Sequence, residues 1–361
     1  MERDESKRID FLIDFFGQDR VIKIARMSKA VNTDSRVVPS LHISLTDHCF
    51  NKCITCGHWH REDKKELPSH ELNRLIRLAA KNGLESICFT GGDPFAYGQL
   101  NEVLTCCQAN GVRYGLVTGC GDPAAARYDL LANAEWIRVS FDAANEATYK
   151  RVRGGSLNLR NVHSNIRKLS DIGANVQLGI TISRHNVHEL PGIFDTALIM
   201  AESGRISRVD ARTVYSSSKD SMASKADLSA VMPHMVYYKR ELLRHGAESN
   251  IEANRVLISG KAKKCFAARY QRFIDADGTV YPCCVMAGDT LKAGISSAAL
   301  GNILDRTVPI DQCWDTICGK AYAWSKQYGD CLPKACNVDC PARLDAINAV
   351  AGELCTHKDF F

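Results

Sequence analysis

The stretch LHISLTDHCFNKCITC, residues 41–56, joins a short β-rich run to three closely spaced cysteines. Its first part, Leu41–Thr46, is rich in apolar and β-branched residues, which is typical of a buried strand. Cys49, Cys53 and Cys56 follow directly. The stretch therefore predicts a strand whose carboxyl end carries a ligand-bearing loop, and the rest of the chain extends this arrangement.

Five further β-rich runs follow, and helix-length segments separate them. The runs are Glu85–Thr90, Arg113–Thr118, Trp136–Asp142, Asn175–Ser183 and Arg208–Val214, and the segments are Ser69–Asn82, Tyr97–Asn110, Pro123–Asn133, Leu157–Ile172 and Val187–Glu202. This alternation predicts parallel βα units with right-handed crossovers. Six units fall short of a closed eight-stranded barrel. We therefore expect an α/β fold, a partial (β/α)6 TIM-like barrel with its site at the carboxyl ends of the strands.

Composition narrows the class of protein. The 361 residues are 45% hydrophobic and 24% charged, as in soluble globular proteins. A net charge of +5 is too small to favour nucleic acid binding. No apolar run approaches the ~20 residues of a membrane span, and the charged N-terminus lacks a secretory signal. We expect a cytoplasmic protein that binds neither nucleic acid nor membrane.

The chain contains 16 cysteines, which is a high number for a chain without a secretory signal. The cytosol keeps thiols reduced, so metal binding explains them better than disulfides do. Three thiolates on one loop can hold three irons of a [4Fe–4S] cube and leave the fourth iron open. The alternative is a structural zinc site with His48, His58 or His60 as the fourth ligand.

The composition also divides the chain into four parts. Residues 1–40 have helical apolar spacing and predict an N-terminal helical extension, and residues 41–215 hold the barrel. Residues 216–260 combine a Ser- and Lys-rich linker with a helix at about Leu228–His245. Residues 261–361 hold nine of the 16 cysteines and are rich in turns, which predicts a second, metal-stapled domain.

The C-x3-C-x2-C spacing after the first strand resembles that of the radical S-adenosylmethionine (SAM) superfamily. In that family the open iron binds SAM, and cleavage of SAM gives a 5′-deoxyadenosyl radical that removes a hydrogen atom from the substrate. The resemblance implies that Cys49, Cys53 and Cys56 hold the SAM-binding [4Fe–4S] cluster. Thr55 departs from the family, which often has an aromatic residue before the third cysteine.

The ends of the later β runs extend the resemblance. The GGDP sequence at 91–94 is similar to a family motif whose acidic residue receives the SAM ammonium. The Ser-x-Asp ending of the fourth run and the later Arg-Gly-Gly resemble the carboxylate-binding residues of a subgroup with a C-terminal SPASM or twitch domain. An arginine fork suits a carboxylate. The implied SAM-binding residues are Gly91, Gly92, Asp93, Thr118, Ser140 and Arg153.

The cysteine-rich tail resembles a SPASM/twitch domain, beginning with Cys265-x12-Gly278-x4-Cys283. Asp-Gly at 277–278 is a hairpin signal that would bring these two cysteines together. The resemblance implies one or two auxiliary [4Fe–4S] clusters, because Tyr328 occupies a position where the family has cysteine. Two clusters are slightly favoured, and zinc is the alternative. The expected ligands are Cys265, Cys283, Cys331, Cys336, Cys340 and Cys355.

Cys284 adds a thiol beside an expected ligand. A thiol near the site could return a hydrogen atom to a substrate radical, as a radical epimerase requires. The simpler explanation is that Cys284 packs in the core.

The resemblance implies radical chemistry more strongly than it implies a substrate. Peptide-modifying members of the subgroup often carry an N-terminal recognition domain, for which residues 1–40 are too short. We therefore expect a small molecule, such as a sugar or aminocyclitol of natural-product biosynthesis, that is epimerised or oxidised. An external donor such as flavodoxin or ferredoxin would supply electrons. The alternatives are a maturase of a ribosomally made peptide or protein, and a non-catalytic zinc or iron–sulfur scaffold.

Overall fold

The computed structural model describes residues 34–56, 61–214, 223–249, 267–284, 287 and 298–328. Six parallel strands follow one another in chain order through a single sheet, as the βα alternation predicts. They are β1 (Ser40–Ser44), β2 (Ser86–Thr90), β3 (Arg113–Thr118), β4 (Trp136–Ser140), β5 (Val176–Ile182) and β6 (Arg208–Thr213). The expected partial (β/α)6 barrel is confirmed.

Helices connect these strands at nearly the expected places. They are α1 (Ser69–Lys81), α2 (Leu100–Ala109), α3 (Tyr128–Ala132), α4 (Glu146–Val152), α5 (Leu159–Asp171) and α6 (Leu190–Glu202). The predicted helix over Pro123–Asn133 is split, because Asp122 caps a separate 3-10 turn at Pro123–Ala125. The sequence analysis missed α4, a short helix whose Asn145 side chain caps its first turn.

The sheet has one apolar and one polar face. Strand alternation places residues such as Ile43, Phe89 and Val139 on the outer face, where they are fully buried in the hydrophobic core. The opposite, inner face carries charged side chains instead, including Arg138 and Asp210, which are also buried. Burial of a strand residue on the inner face therefore does not require an apolar side chain.

A helix and a short strand follow β6. Helix α7 (Lys225–Arg244) packs against α6, and β7 (Glu248–Ser249) extends the sheet by pairing in parallel with β6. Ser224 caps α7, so the helix begins inside the stretch that was expected to be a loop. Among the described helices, none is long and apolar enough to cross a bilayer.

The C-terminal part adds strands to the opposite edge. After α8 (Ala267–Tyr270), β8 (Gln271–Ile274) pairs in parallel with β1, and β9 (Thr279–Tyr281) returns antiparallel to β8. This confirms the Asp-Gly hairpin. At its turn Gly278 has φ +83°, and a Cβ there would lie 2.6 Å from Asn302 Oδ1. Asn302 belongs to β10 (Gly301–Asn302), which pairs with β9.

Helix α9 (Ile310–Tyr328) follows in a region that the sequence analysis described as rich in turns. Its buried residues Trp314, Ile317 and Ala321 recur at helical spacing and join the main core. The same spacing is visible in the sequence. The prediction of metal-bound loops for this region followed the nearby cysteines and missed the helix.

A buried ion-pair cluster joins the C-terminal strands to the cysteine loop. Arg61 Nη1 donates to Asp47 Oδ1 at 2.9 Å, and its Nη2 donates to Asp275 Oδ2 at 2.9 Å. Both carboxylates have no exposed surface. Asp47 lies between β1 and Cys49, whereas Asp275 directly follows β8. Arg61 therefore fixes the carboxyl ends of β1 and β8 relative to each other.

Replacing Arg61 by Met should leave two buried carboxylates without this cation. We expect a loss of about 3–5 kcal/mol in the free energy of unfolding, measured by denaturant titration. Arg36→Met is the matched control, because Arg36 pairs with Asp34 at an exposed site. That change should leave the free energy of unfolding nearly unchanged, because water screens an exposed ion pair. Equal effects of the two substitutions would contradict this role for Arg61.

Candidate active site

The cysteine loop, residues 48–56, approaches two glycines so closely that a side chain would not fit. A Cβ on Gly92, after β2, would overlap the backbone carbonyl of His48. A Cβ on Gly155, after α4, would overlap the carbonyl of Phe50, and Gly155 also has φ +79°. The glycines are therefore required by the position of the loop itself, in addition to any contact with a ligand.

Backbone hydrogen bonds complete the attachment of the cysteine loop. Lys52 N donates to Arg153 O at 2.8 Å, and Ile54 N donates to Val152 O at 3.1 Å. On the other side, the backbone N of Asp93 donates to His48 O at 2.9 Å. The loop is thus held between the end of α4 and the Gly-Gly-Asp segment.

The three thiols of the loop are half-buried. Burial, followed by the charge of Asp93, raises the pKa of Cys49 to about 12. Burial also raises the pKa of Cys53 to about 11, although Arg153 opposes this shift. Binding of iron requires thiolates, so a metal would displace protons from these groups.

The composition of the loop suits an iron–sulfur cluster, since it supplies three thiols within eight residues. A structural zinc ion would need four ligands. A cluster binds each thiolate through a different iron. His48 is exposed, and His58 and His60 lie outside the described residues.

Asp93 fastens the end of β2 to the end of β3. Its fully buried Oδ1 accepts hydrogen bonds from Thr118 Oγ1 at 2.7 Å and Phe95 N at 3.0 Å, and its Oδ2 accepts one from Gly119 N at 2.8 Å. Burial raises the pKa of Asp93, although these hydrogen bonds oppose the shift. The Thr118 hydroxyl group also accepts a hydrogen bond from Cys120 N at 2.8 Å. Both of its hydrogen bonds are therefore made within the protein, one of them to Asp93.

Arg153 lies between the cysteine loop and the end of β4. Its Nη1 donates to Asp142 Oδ2 at 3.0 Å, while its buried Nε has no hydrogen-bond partner among the described residues. Burial disfavours its positive charge, but Cys53 and Asp142 keep the pKa of Arg153 above its ordinary value.

Several polar groups converge on Gly119 at the end of β3. A Cβ there would lie 3.1 Å from Arg153 Nη2 and 3.2 Å from Asp93 Oδ2, and would overlap Asn51 Nδ2. The Asn51 amide nitrogen is buried and has no hydrogen-bond partner within the described part of the chain. Donors for a carboxylate and an acceptor for an ammonium thus meet at one point, which fits the amino-acid end of SAM.

The structure brings most of the predicted SAM-binding residues together. Gly92 and Asp93 approach the cysteine loop, whereas Gly91 approaches the segment just before it, at the Thr46 carbonyl. Ser140 lies at the end of β4 on the inner face. Sequence reasoning missed Asn51 and Asp142. Asn51 lies inside the cysteine motif, and Asp142 belongs to the Ser-x-Asp ending, so both were visible as polar residues in motifs already singled out.

The C-terminal cysteines are only partly covered by the structure. Cys283 is half-buried and packs against Phe273 and Tyr281. Cys284 is exposed, whereas Cys88 on β2 is buried. Burial raises the pKa of Cys88 to about 12, and the charge of Cys284 adds to this shift. The other predicted ligands, Cys265, Cys331, Cys336, Cys340 and Cys355, lie outside the described residues.

Comparison with known families agrees with this site. A family model described as the radical SAM superfamily matches residues 43–197, and the SPASM iron–sulfur cluster-binding domain matches residues 265–341. The chain therefore carries a radical SAM domain followed by a C-terminal SPASM domain. The first domain implies a [4Fe–4S] cluster and SAM, and the second implies auxiliary iron–sulfur clusters.

Two curated relatives are similar over the barrel. A probable GTP 3′,8-cyclase of Methanocella arvoryzae is 28% identical over 166 residues, covering 45% of this chain and 52% of the relative. PqqA peptide cyclase of Methylorubrum populi is 26% identical over 173 residues, covering 45% of this chain and 44% of the relative. The matches thus span about half the length of these relatives.

Two solved structures share the fold over most of the chain. SuiB of Streptococcus suis bound to the precursor peptide SuiA has a TM-score of 0.54 and 16% identity, covering 86% of this chain and 79% of SuiB. The anSMEcpe enzyme with AdoMet and the Cp18Cys peptide has a TM-score of 0.61 and 14% identity, covering 87% of this chain and 88% of that one.

These comparisons correct the expected substrate and reaction. The sequence analysis placed a small molecule ahead of a peptide, but PqqA cyclase, SuiB and anSMEcpe are each named or solved with a peptide. The preference for a small molecule is therefore wrong. The expected epimerase or dehydrogenase class also finds no support, since the relatives are cyclases and peptide-modifying enzymes. The error came from reading a short N-terminal region as evidence against peptide binding.

Gly92→Ala should disturb the cysteine loop directly. The new Cβ would collide with the His48 carbonyl, and we expect a cost of about 1–3 kcal/mol together with loss of iron from the reconstituted SAM-cluster site. A Gly98→Ala control, eight residues after Thr90, meets nothing within 4 Å and should retain full iron content. Iron assay of both variants checks this, and normal iron in Gly92→Ala would refute the proposed collision.

Proposed function

We propose that this radical SAM enzyme modifies a peptide. The convergence of Asn51, Arg153 and Asp93 on Gly119, beside the cysteine loop, carries the radical SAM part of the proposal. Similarity to PqqA peptide cyclase supports a peptide as the substrate class.

The residues of the site divide into two sets by what they would hold. Cys49, Cys53 and Cys56 are the proposed cluster ligands, and the cluster with bound SAM supplies a hydrogen-abstracting radical. Arg153 and Asn51 offer hydrogen bonds to the SAM carboxylate, with Ser140 at the neighbouring strand end. The remaining acceptor capacity of the Asp93 carboxylate suits the SAM ammonium.

Asp142 and Thr118 are proposed to position these groups. Asp142 holds the Nη1 atom of Arg153, which turns the rest of the guanidinium towards Gly119. Thr118 holds Asp93 through its hydroxyl group. Burial of these pairs keeps water from competing for the same hydrogen bonds.

The polar inner face supports a peptide substrate physically. A peptide carries an amide donor and acceptor at nearly every residue, and these need partners when water is removed. Thr181, two residues beyond the register partner of Ser140, is a partly exposed polar side chain on the inner face, and the buried positions below it are also polar, as at Gln177. An apolar barrel interior would instead leave the amides of a bound peptide unsatisfied.

Two further assignments remain proposals. The boundaries 41–215 for the barrel and 261–361 for the SPASM domain are kept, with α7 and β7 attached to the barrel by packing and pairing. A cytoplasmic location is proposed because 16 cysteines, many of them expected ligands, require a reducing compartment.

The substrate class is tested with anaerobically reconstituted, reduced enzyme and SAM. Pools of synthetic peptides and pools of sugars and aminocyclitols are incubated separately, and 5′-deoxyadenosine is measured against a substrate-free control. We expect peptide pools to raise its formation at least about tenfold. Stimulation by the sugars alone would reject the peptide proposal, and absence of any SAM cleavage would reject radical chemistry.

Cys284 is proposed as a hydrogen donor to a substrate radical on the inner face. Its S–H bond would break as a substrate C–H bond forms, and the resulting thiyl radical would take an electron and a proton from added reductant. Cys284→Ala should then abolish deuterium incorporation from heavy water into the peptide, while a Cys106→Ala control on α2 should not. Unchanged incorporation in Cys284→Ala would exclude the donor role.

A further inference from the structure

The loop between β5 and α6, residues 183–189, packs against the segment that carries Arg153. This β5–α6 loop lies at the carboxyl end of the sheet, next to the end of β4. Two of its side chains, those of Asn186 and Glu189, make hydrogen bonds to the neighbouring βα unit. Neither of them belongs to the set of polar groups that meets at Gly119.

Asn186 fastens the end of β5 to the segment that follows β4. Its side chain is fully buried, and its Nδ2 donates to the backbone carbonyls of Asp142 and Thr181, both at 2.9 Å. Its Oδ1 accepts from Ser183 N at 2.8 Å and from the Ser183 hydroxyl at 3.1 Å. An asparagine amide has two N–H donors and two lone pairs, so its full hydrogen-bonding capacity is used here. Few arrangements of the surrounding backbone would satisfy all four bonds.

Asp142 is thereby held at both its backbone and its side chain. Asn186 holds the Asp142 carbonyl, while Thr181 N donates to Asp142 Oδ1 at 2.7 Å. The second carboxylate oxygen, Oδ2, is left for Arg153 Nη1, which donates to it at 3.0 Å. The direction of the Arg153 guanidinium therefore depends on where the β5–α6 loop places Asp142.

Glu189 attaches the same loop to α4, the helix that leads into the SAM site. Its Oε1 accepts a hydrogen bond from the Thr148 hydroxyl, and its Oε2 accepts one from Ala144 N at 3.4 Å. A third connection runs from Arg151 Nη2 to the carbonyl of His185 at 2.8 Å. Because α4 has only seven residues, it gains little stability from its own hydrogen bonds, and its position depends on such contacts.

The two attachments act on opposite ends of the Arg153 side chain. Glu189 fixes the helix from which the Arg153 backbone continues, and Asn186 fixes the carboxylate that receives its guanidinium. Ordering a long arginine side chain costs conformational entropy. If the β5–α6 loop orders this side chain in advance, that cost does not oppose the binding of a ligand.

We propose that Asn186 and Glu189 are positioning residues that orient the Arg153 guanidinium towards the carboxylate of SAM. The inference rests on the proposed function in one respect, the assignment of Arg153 to that carboxylate. Neither residue contacts SAM itself or takes part in the radical chemistry. Their effect is therefore on the affinity for the amino-acid end of SAM and not for its adenosine end.

The test compares two ligands of the reconstituted holoenzyme, with the cluster oxidised so that SAM is not cleaved. 5′-Methylthioadenosine has the adenosine part and the sulfur atom of SAM but no amino-acid end. The dissociation constants of both ligands are measured by calorimetry. For Asn186→Ala we expect SAM to bind about tenfold more weakly, because Asp142 loses its support, while the affinity for 5′-methylthioadenosine should not change.

Glu189 supplies a second and milder pair of variants, because its side chain is only half-buried. Glu189→Ala removes the acceptor for the Thr148 hydroxyl and should weaken SAM binding less than Asn186→Ala does. Glu189→Gln keeps an oxygen acceptor and should retain the native affinity.

Asn175→Ala is the matched control. Asn175 Nδ2 donates to Glu135 O at 2.7 Å, so it joins the amino ends of the same two strands, far from Arg153. This substitution should leave the affinity for both ligands unchanged. Thermal melting and iron assays show whether each variant is folded and loaded.

Native affinity for SAM in both Asn186→Ala and Glu189→Ala would overturn the positioning role. An equal loss of affinity for both ligands would also overturn it, since that result indicates a general distortion of the site. If Asn186→Ala fails to fold or to take up iron, the two Glu189 variants decide by the same criteria.

Arg153→Gln separates this inference from the assignment on which it rests. Native SAM binding in Arg153→Gln would reject the assignment of Arg153, and the positioning role with it. Weak SAM binding in Arg153→Gln, together with native binding in the Asn186 and Glu189 variants, would overturn the positioning role alone. No peptide is present, so the result does not depend on the substrate class.

Discussion

The structure depends on the close approach of the cysteine loop to the carboxyl ends of the strands. The loop can reach this position only because Gly92 and Gly155 have no side chain where the His48 and Phe50 carbonyls pass. The same approach brings Asn51, which lies between two of the cysteines, next to Gly119. One packing constraint therefore positions both the cluster ligands and the donors that fit SAM.

Buried charges are used where separate segments of the chain must keep a fixed relation. Arg61 joins the segments after β1 and β8, Arg153 joins α4 to the Ser-x-Asp end of β4, and Asp93 joins β2 to β3. Removing two charges from water costs about as much as their attraction returns, so such pairs contribute little net stability. Their directional hydrogen bonds, in contrast, admit few arrangements. We infer that they mainly set geometry.

The strands and the strand-end motifs could be predicted because both depend on local sequence. The ends of β3 and β6 agree with the predicted runs within one residue, since β-branched residues continue up to the motif. The inner face could not be predicted from local sequence. Arg138 and Asp210 are 72 positions apart in the chain, and their pairing depends on strand register. The substrate class was mistaken because a peptide was rejected on the shortness of residues 1–40. The polarity of the inner face, which bears on the substrate directly, was not visible in the sequence.

Register also explains how the SPASM domain relates to the radical site. Strand β8 is added to β1 by a parallel ladder, so the relation between the cysteine loop and the C-terminal hairpin is set by backbone hydrogen bonds. Strand β9 then runs back antiparallel to β8, and Cys283 and Cys284 follow its last residue, Tyr281. These two cysteines are therefore linked to the barrel through the same ladder that joins β8 to β1. Because a slip of one residue in that ladder would turn every side chain of β8 to the other face, the β1–β8 register fixes how the C-terminal cysteines lie relative to the cysteine loop.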